Sequence, residues 1–152
     1  MLDANGVFSD AQIIVANATT VVSTNVVDLG ALVDDRGTAK NQFGPENGKL
    51  WLVVTVGIKP TAGTALYLEL TDCATATGTF KPVGIGVDSA NAIPIATLTV
   101  GYPVIKVPLP PSLRRYLVIL YTTTGNWTGS VGTFNARLEW GTQADDVAPH
   151  RV

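Results

Sequence analysis

Charged residues are scarce in this sequence. Of its 152 residues, 14% are Asp, Glu, Lys or Arg, against roughly 25% in an average globular protein. The ten Lys and Arg residues form no basic run, and the formal net charge is −2. Proteins that bind nucleic acid neutralise phosphates with clustered cations, so we exclude a direct DNA- or RNA-binding role. A surface with little charge is also typical of the centre of protein–protein interfaces.

Cysteine and histidine are almost absent. Cys73 is the single cysteine and His150 the single histidine. One cysteine excludes a disulfide within the chain. One histidine, close to the last residue, cannot build the several-histidine metal site of a cupin-type jelly roll and is poorly placed for a Ser–His–Asp site. We therefore predict no enzymatic activity, no metal and no cofactor.

Long hydrophobic runs are missing as well. The longest apolar run covers residues 116–121, far short of the roughly 20 residues of a membrane span. The opening residues Met1-Leu-Asp-Ala-Asn contain no basic region followed by an apolar one, which is the pattern of a secretory signal. The sequence therefore predicts synthesis in the cytoplasm and no membrane partner.

The pattern that is present has a period of two. Leu66, Leu68 and Leu70 alternate with Tyr67, Glu69 and Thr71, and residues 134–140 alternate in the same way. Successive side chains of a strand point to opposite faces, so each segment offers one apolar and one polar face. Residues 50–56 and 116–121 are apolar at both parities, which predicts central strands covered on both faces, by a second sheet or by a neighbouring subunit.

Gly, Pro and Asn punctuate about nine candidate strands, which include residues 12–16, 24–29, 82–87, 95–100 and 104–109. Short strands with regular turn signals, and no helical periodicity, predict an all-β single domain: a sandwich or jelly roll of eight to nine strands. Residues 1–10 form an N-terminal arm or an edge strand in this interpretation. Residues 11–143 form the body, and residues 144–152 form a tail.

Few residues suggest chemistry. Glu69, Asp72, Asp88 and Glu139 lie on or near predicted strands, so two of them could face each other across a cleft as in a glycoside hydrolase. Gly84-Ile-Gly86 opens no predicted helix and is not a dinucleotide-binding loop. Trp127 lies in a Gly-flanked loop. Its indole either contacts a protein or a glycan, or folds back over the end of the sandwich.

An ordered set of segments carries a resemblance to a known family. It runs from Phe8-Ser-Asp-Ala-Gln12 through Ser23-Thr-Asn-Val-Val-Asp-Leu-Gly30 and Asp34-Asp-Arg-Gly37 to Leu66-Tyr-Leu-Glu-Leu-Thr-Asp72, and on to residues 108–111, 115–121 and 132–136. The chain from Met1 to about Gln143 resembles the capsid cement (decoration) proteins of podophages. This resemblance implies a jelly roll on the outer surface of an assembled shell, and a virion location after synthesis in the host cytoplasm. The implied partners are the major capsid protein and further copies of the chain, as a dimer or trimer.

We expect contacts with the capsid or with other copies at the chain ends and in the longest polar loop. The candidate contact residues are Leu2, Val7, Phe8, Arg36, Phe43 and Trp127. The N-terminal segment either adds to a neighbour's sheet or is the edge strand of its own domain. Two other functions stay open: a carbohydrate- or receptor-binding jelly roll of a phage particle, and a small hydrolase.

Overall fold

β-branched and aromatic residues favour extended chain, and they dominate the segments that form strands. The computed structural model describes residues 6–14, 19–30, 50–110 and 112–140. Within them the strands are β1 (Val7–Ile13), β2 (Thr20–Val22), β3 (Val27–Asp28), β4 (Leu50–Ile58), β5 (Ala65–Cys73), β6 (Lys81–Val87), β7 (Ile93–Pro94), β8 (Pro103–Pro108), β9 (Tyr116–Thr124) and β10 (Thr133–Trp140). A single-turn 3-10 helix spans Ser89–Asn91.

The strands form two antiparallel sheets. The first has the order β1-β10-β4-β8, and the second has the order β2-β9-β5-β6, with β3 beside β9 and β7 beside β5. Along the chain, β1, β4, β8 and β10 of the first sheet are separated by strands of the second. This alternation between a four-stranded and a six-stranded sheet is the connectivity of a jelly roll. The predicted all-β sandwich is therefore confirmed.

The core lies between the sheets and follows the period of two. Leu66, Leu68 and Leu70 of β5 are at most 1% exposed, and Leu52, Val54 and Val56 of β4 at most 2%. All belong to one hydrophobic cluster. Fully burying a side chain of this size stabilises the fold by about 1.5–3 kcal/mol. The alternating leucines therefore explain why this face of β5 packs against the first sheet.

The two segments that are apolar at both parities are central strands, as predicted. β4 lies between β10 and β8, and β9 lies between β5 and β2. On the faces directed away from the core, Val53 is 7% exposed and Val118 is 2% exposed. These side chains are already covered within the single chain. A second copy is therefore not needed to explain the pattern.

Two predicted strands have clearly different bounds, and one is absent. β1 begins five residues before the predicted start at Gln12, and of the predicted strand 24–29 only Val27–Asp28 forms a strand, β3. Residues 95–100 are turns instead of a strand: Thr97 and Leu98 donate backbone hydrogen bonds to the carbonyls of Pro94 and Ile95. Leu98 is nevertheless fully buried. The apolar spacing that predicted a strand here therefore comes from turn residues that reach the core.

Both edge strands of the first sheet, β1 and β8, are covered or interrupted. At β1, the Asn25 backbone N–H donates to the Phe8 carbonyl at 2.9 Å, and the Asn25 side chain donates to the Val7 carbonyl at 3.1 Å. At the opposite edge, β8 begins and ends with proline, which has no N–H to offer. Such devices limit pairing with strands of other molecules.

Candidate functional site

The described residues offer little for catalysis. They contain no group of three or more His, Cys, Asp or Glu side chains that could hold a metal ion. Cys73 is buried, and hydrogen bonding to the backbone of Thr75 lowers the pKa of its thiol. Glu69 and Asp88 line one cleft, but both are exposed, whereas the general acid of a glycosidase sits in an apolar, shielded pocket.

Trp127 is part of the core and cannot serve as an exposed contact. Its side chain is fully buried, and its indole N–H donates to the Thr124 carbonyl at 2.9 Å. The ring packs against Gly63, where any Cβ would collide with it. The expectation that Trp127 contacts a partner is therefore wrong. The alternative, a loop tryptophan folded back over the end of the sandwich, is the one observed.

The other candidate contact residues have different outcomes. Phe8 is fully buried in the core, so the expectation that it anchors a partner is also wrong. The reason is that residues 7–13 pair with β10 as the edge strand of the first sheet, which turns Phe8 inward. Val7 is half-buried and stays a prediction. Leu2, Arg36 and Phe43 lie outside the described residues.

An apolar surface occupies one end of the sandwich. We call it the apolar end and define it by four exposed side chains: Ile13 (55% exposed), Ile58 (51%), Val100 (71%) and Val131 (54%). They are four of the six large hydrophobic residues that are exposed in the described part of the chain. Scattered exposed apolar residues are normal, but a concentration of them indicates an interaction site.

Strand pairing brings the four side chains to the same end. Ile13 and Ile58 both stand opposite Thr133, where β1 and β4 end and β10 begins. Val131 precedes Thr133 by two residues. Val100 lies beside the end of β4, because the N–H of the following residue, Gly101, donates to the Val56 carbonyl at 2.8 Å.

Buried contacts fix the loops that carry this surface. Gly132 lies so close to Pro60 that a Cβ would come within 2.7 Å of its ring, and the Thr61 N–H donates to the Ser130 hydroxyl at 3.3 Å. Trp127 is buried under the same loops. The apolar end therefore rests on a packed support, which lowers the entropy cost of ordering it on binding.

The loops around the apolar end are almost free of charge. Residues 59–64, 95–102 and 125–132 contain a single charged side chain, Lys59. Removing such a surface from water costs little, because few charges have to be desolvated. None of the four side chains was among the contact residues predicted from the sequence. One feature of the sequence could have indicated them. Val100 and Val131 each directly precede a glycine close to the start of a strand, where polar residues are usual.

No helix among the described residues is long and apolar enough to cross a membrane.

Comparison with known proteins gives a family. A search of curated proteins finds no significant match. The model of the Bbp16 family, whose name indicates a phage-related protein, matches residues 8–138. That match covers most of the chain and both sheets of the jelly roll, and the chain therefore belongs to the Bbp16 family.

Proposed function

We propose that this protein is a virion structural protein, a capsid cement (decoration) protein that binds the outer surface of an assembled tailed-phage shell. The observation that carries the proposal is the apolar end: four exposed aliphatic side chains at strand ends and in packed loops, with one charged side chain in the surrounding loops. A surface of this kind suits a protein partner. Membership of a phage-related family supports a shell as that partner.

In this proposal the apolar end contacts the major capsid protein. Each square ångström of apolar surface removed from water contributes about 25 cal/mol. A subunit that binds only the assembled, expanded shell stabilises that state by mass action. Contacts repeated over a symmetric shell add avidity. The subunit needs no catalytic group and no cofactor for this role.

Self-association as a dimer or trimer stays a separate prediction. The outward-facing Val53 and Val118 are covered within one chain, so they no longer argue for a second copy. Sedimentation equilibrium of the purified protein measures the oligomeric state directly.

A carbohydrate- or receptor-binding role has lost its main support. It was based on an exposed Trp127 as a stacking platform, and that indole is fully buried. The shell-binding role is therefore the function that the geometry favours.

Co-sedimentation with expanded phage heads that lack the protein tests the proposal. We expect saturable binding at a fixed copy number per shell and no binding to unexpanded shells. Val100→Asp places a charge in the apolar end and should weaken binding at least tenfold, because that carboxylate has to be desolvated.

Val22→Asp is the matched control. Val22 is also an exposed valine, at 52%, but it lies on β2 in the other sheet. It should bind as tightly as the unmodified protein. If both variants bind shells equally well, the apolar end does not contact the shell. Absence of binding by the unmodified protein would refute the cement function itself.

A further inference from the structure

A cleft of about 460 Å³ opens beside β6 in the second sheet. Its lining includes Tyr67 and Glu69 from β5, Gly84 and Gly86 from β6, and Asp88 and Ser89 after β6. The volume is within the range of small-ligand sites. The proposed function does not use this cleft.

An irregular edge strand creates the cleft. Glu69 pairs with Gly86 and Thr71 pairs with Pro82, so three residues of β6 lie opposite one residue of β5. Gly84 has a φ of +77°, and a Cβ there would meet nothing within 4 Å. A Cβ on Gly86 would collide with the Leu68 carbonyl. The two glycines thus hold the bulge against β5 and leave the space above it open.

Within the described part of the chain, the carboxylates of the cleft have no ion-pair partner. The described residues contain six carboxylates: Asp10, Asp28, Glu69, Asp72, Asp88 and Glu139. Three of them are ion-paired with arginines: Asp28 with Arg115, Asp72 with Arg114 and Glu139 with Arg137. Two of the remaining three, Glu69 and Asp88, line the cleft, and none of its described lining residues is basic.

The two carboxylates have room to accept a ligand. Asp88 uses Oδ1 to accept hydrogen bonds from the backbone and side-chain N–H groups of Asn91, while no hydrogen bond within the described residues engages its Oδ2. Glu69 is exposed on the strand. The nearest basic residue along β6, Lys81, stands opposite Asp72 beyond the bulge.

We propose that this cleft binds an arginine side chain of the capsid protein to which the subunit attaches, an inference that rests on the proposed function. A guanidinium carries one positive charge, so it would offset half of the charge of Glu69 and Asp88, donate paired hydrogen bonds to a carboxylate and lie against the Tyr67 ring. A neutral ligand such as a saccharide would leave both charges uncompensated.

The location of the cleft supports the same partner. β5 starts after the loop that follows Ile58, and therefore starts at the apolar end. Tyr67 and Glu69 are two and four residues along β5 from its first residue, which at about 3.3 Å per residue is roughly 7–13 Å. A protein that covers the apolar end can therefore also reach the cleft.

Titration of the full chain with a short peptide tests the ligand class. We would record amide spectra by NMR while adding acetyl-Gly-Arg-Gly-amide, and compare a peptide with citrulline, a neutral isostere, in place of arginine. We expect shifts of the Gly84 and Gly86 amides with the arginine peptide and at least tenfold weaker binding of the citrulline peptide. Equal binding of the two peptides would overturn the proposal, as would shifts produced only by a neutral trisaccharide.

Variants of the cleft residues test whether the cleft contributes to shell binding. The double variant Glu69→Gln, Asp88→Asn removes both charges but keeps Oδ1 as the acceptor for Asn91. It should lose peptide binding and bind expanded shells at least tenfold more weakly. Asp10→Asn removes a carboxylate on β1, in the other sheet, and should change neither. Shell binding that is normal in the double variant would refute the cleft and leave the cement function standing, whereas the cement function fails if the unmodified protein does not bind.

Discussion

At the scale of single residues, buried polar groups tie the two sheets together. The Tyr121 hydroxyl of β9 hydrogen-bonds the Ser9 hydroxyl of β1 at 3.1 Å, and Ser9 donates to the Gln12 side chain at 2.6 Å. Gln12 in turn donates to the Val22 carbonyl at 2.9 Å. A buried hydroxyl without a partner costs about 1–3 kcal/mol, so this chain of bonds favours one position of β1 over others.

Tyr121 gives the stability a dependence on high pH. Its burial raises its pKa to about 12, although the bond with Ser9 acts in the opposite direction. An unfolded tyrosine has a pKa of about 10. Between these values the unfolded chain has lost the proton while the folded chain keeps it. The free energy of unfolding therefore falls by roughly 1.4 kcal/mol per pH unit from pH 10 to 12, and is unaffected by this group below pH 10.

Urea unfolding at pH 9 and pH 11 measures this effect. Between these two pH values Tyr121→Phe should lose about 1.4 kcal/mol less stability than the unmodified protein, because it has no hydroxyl to titrate. An identical loss in the variant and the unmodified protein would show that Tyr121 does not keep its proton in the folded state.

Trp127 should matter for folding, because it fills the core beneath the apolar end. Trp127→Ala leaves a large cavity and should lower the free energy of unfolding by about 3–5 kcal/mol. Val131→Ala, in the same loop at a side chain that is 54% exposed, should change it by no more than about 0.5 kcal/mol. Thermal unfolding followed by circular dichroism distinguishes the two. A small effect of Trp127→Ala would mean that the indole is not packed in the core.

At the scale of elements, β1 shows how an irregularity is supported. The pairing of β1 with β10 shifts between Ser9 and Gln12, and Ala11 within this bulge has a φ of +47°. Its N–H, which is not paired within the ladder, donates to the Asn135 side chain of β10 at 2.7 Å. Asn135 thus supplies the acceptor that the regular ladder would have supplied.

Asn135→Ala should therefore loosen β1. Without the acceptor we expect the free energy of unfolding to fall by about 1 kcal/mol, and the amides of β1 to exchange with deuterium faster than those of β4. Asn135→Asp keeps an oxygen in place and should retain most of the protection. If Asn135→Ala exchanges like the unmodified protein, the bulge does not depend on this bond.

Strand positions were predictable where a strand has one buried face. The alternation of Leu66, Leu68 and Leu70 locates β5 because the period of two has only one structural meaning there. Residues 95–100 also contain spaced apolar residues, but in them Ile95 and Leu98 reach the core from consecutive turns, which spacing alone does not distinguish from a strand. The bulges of β1 and β6 depend on contacts with β10 and β5 and are not visible locally.

At the scale of the whole molecule, the jelly roll determines which loops meet. The apolar end is assembled from segments near residues 13, 58, 100 and 131, which are far apart in sequence and adjacent only through sheet pairing. The position of Trp127 likewise depends on Gly63, 64 residues earlier in the chain. The fold class followed from local patterns, whereas the candidate contact surface required the topology. The residues first proposed as contacts, Phe8 and Trp127, were the ones that the topology turned inward.

The protected edges of the first sheet affect how a subunit behaves before it meets its partner. A jelly roll with open edges tends to pair edge to edge with other copies as its concentration rises. Here Asn25 covers β1, and prolines begin and end β8. If the protein is the cement subunit proposed above, these edges would limit pairing between free subunits before expanded shells become available.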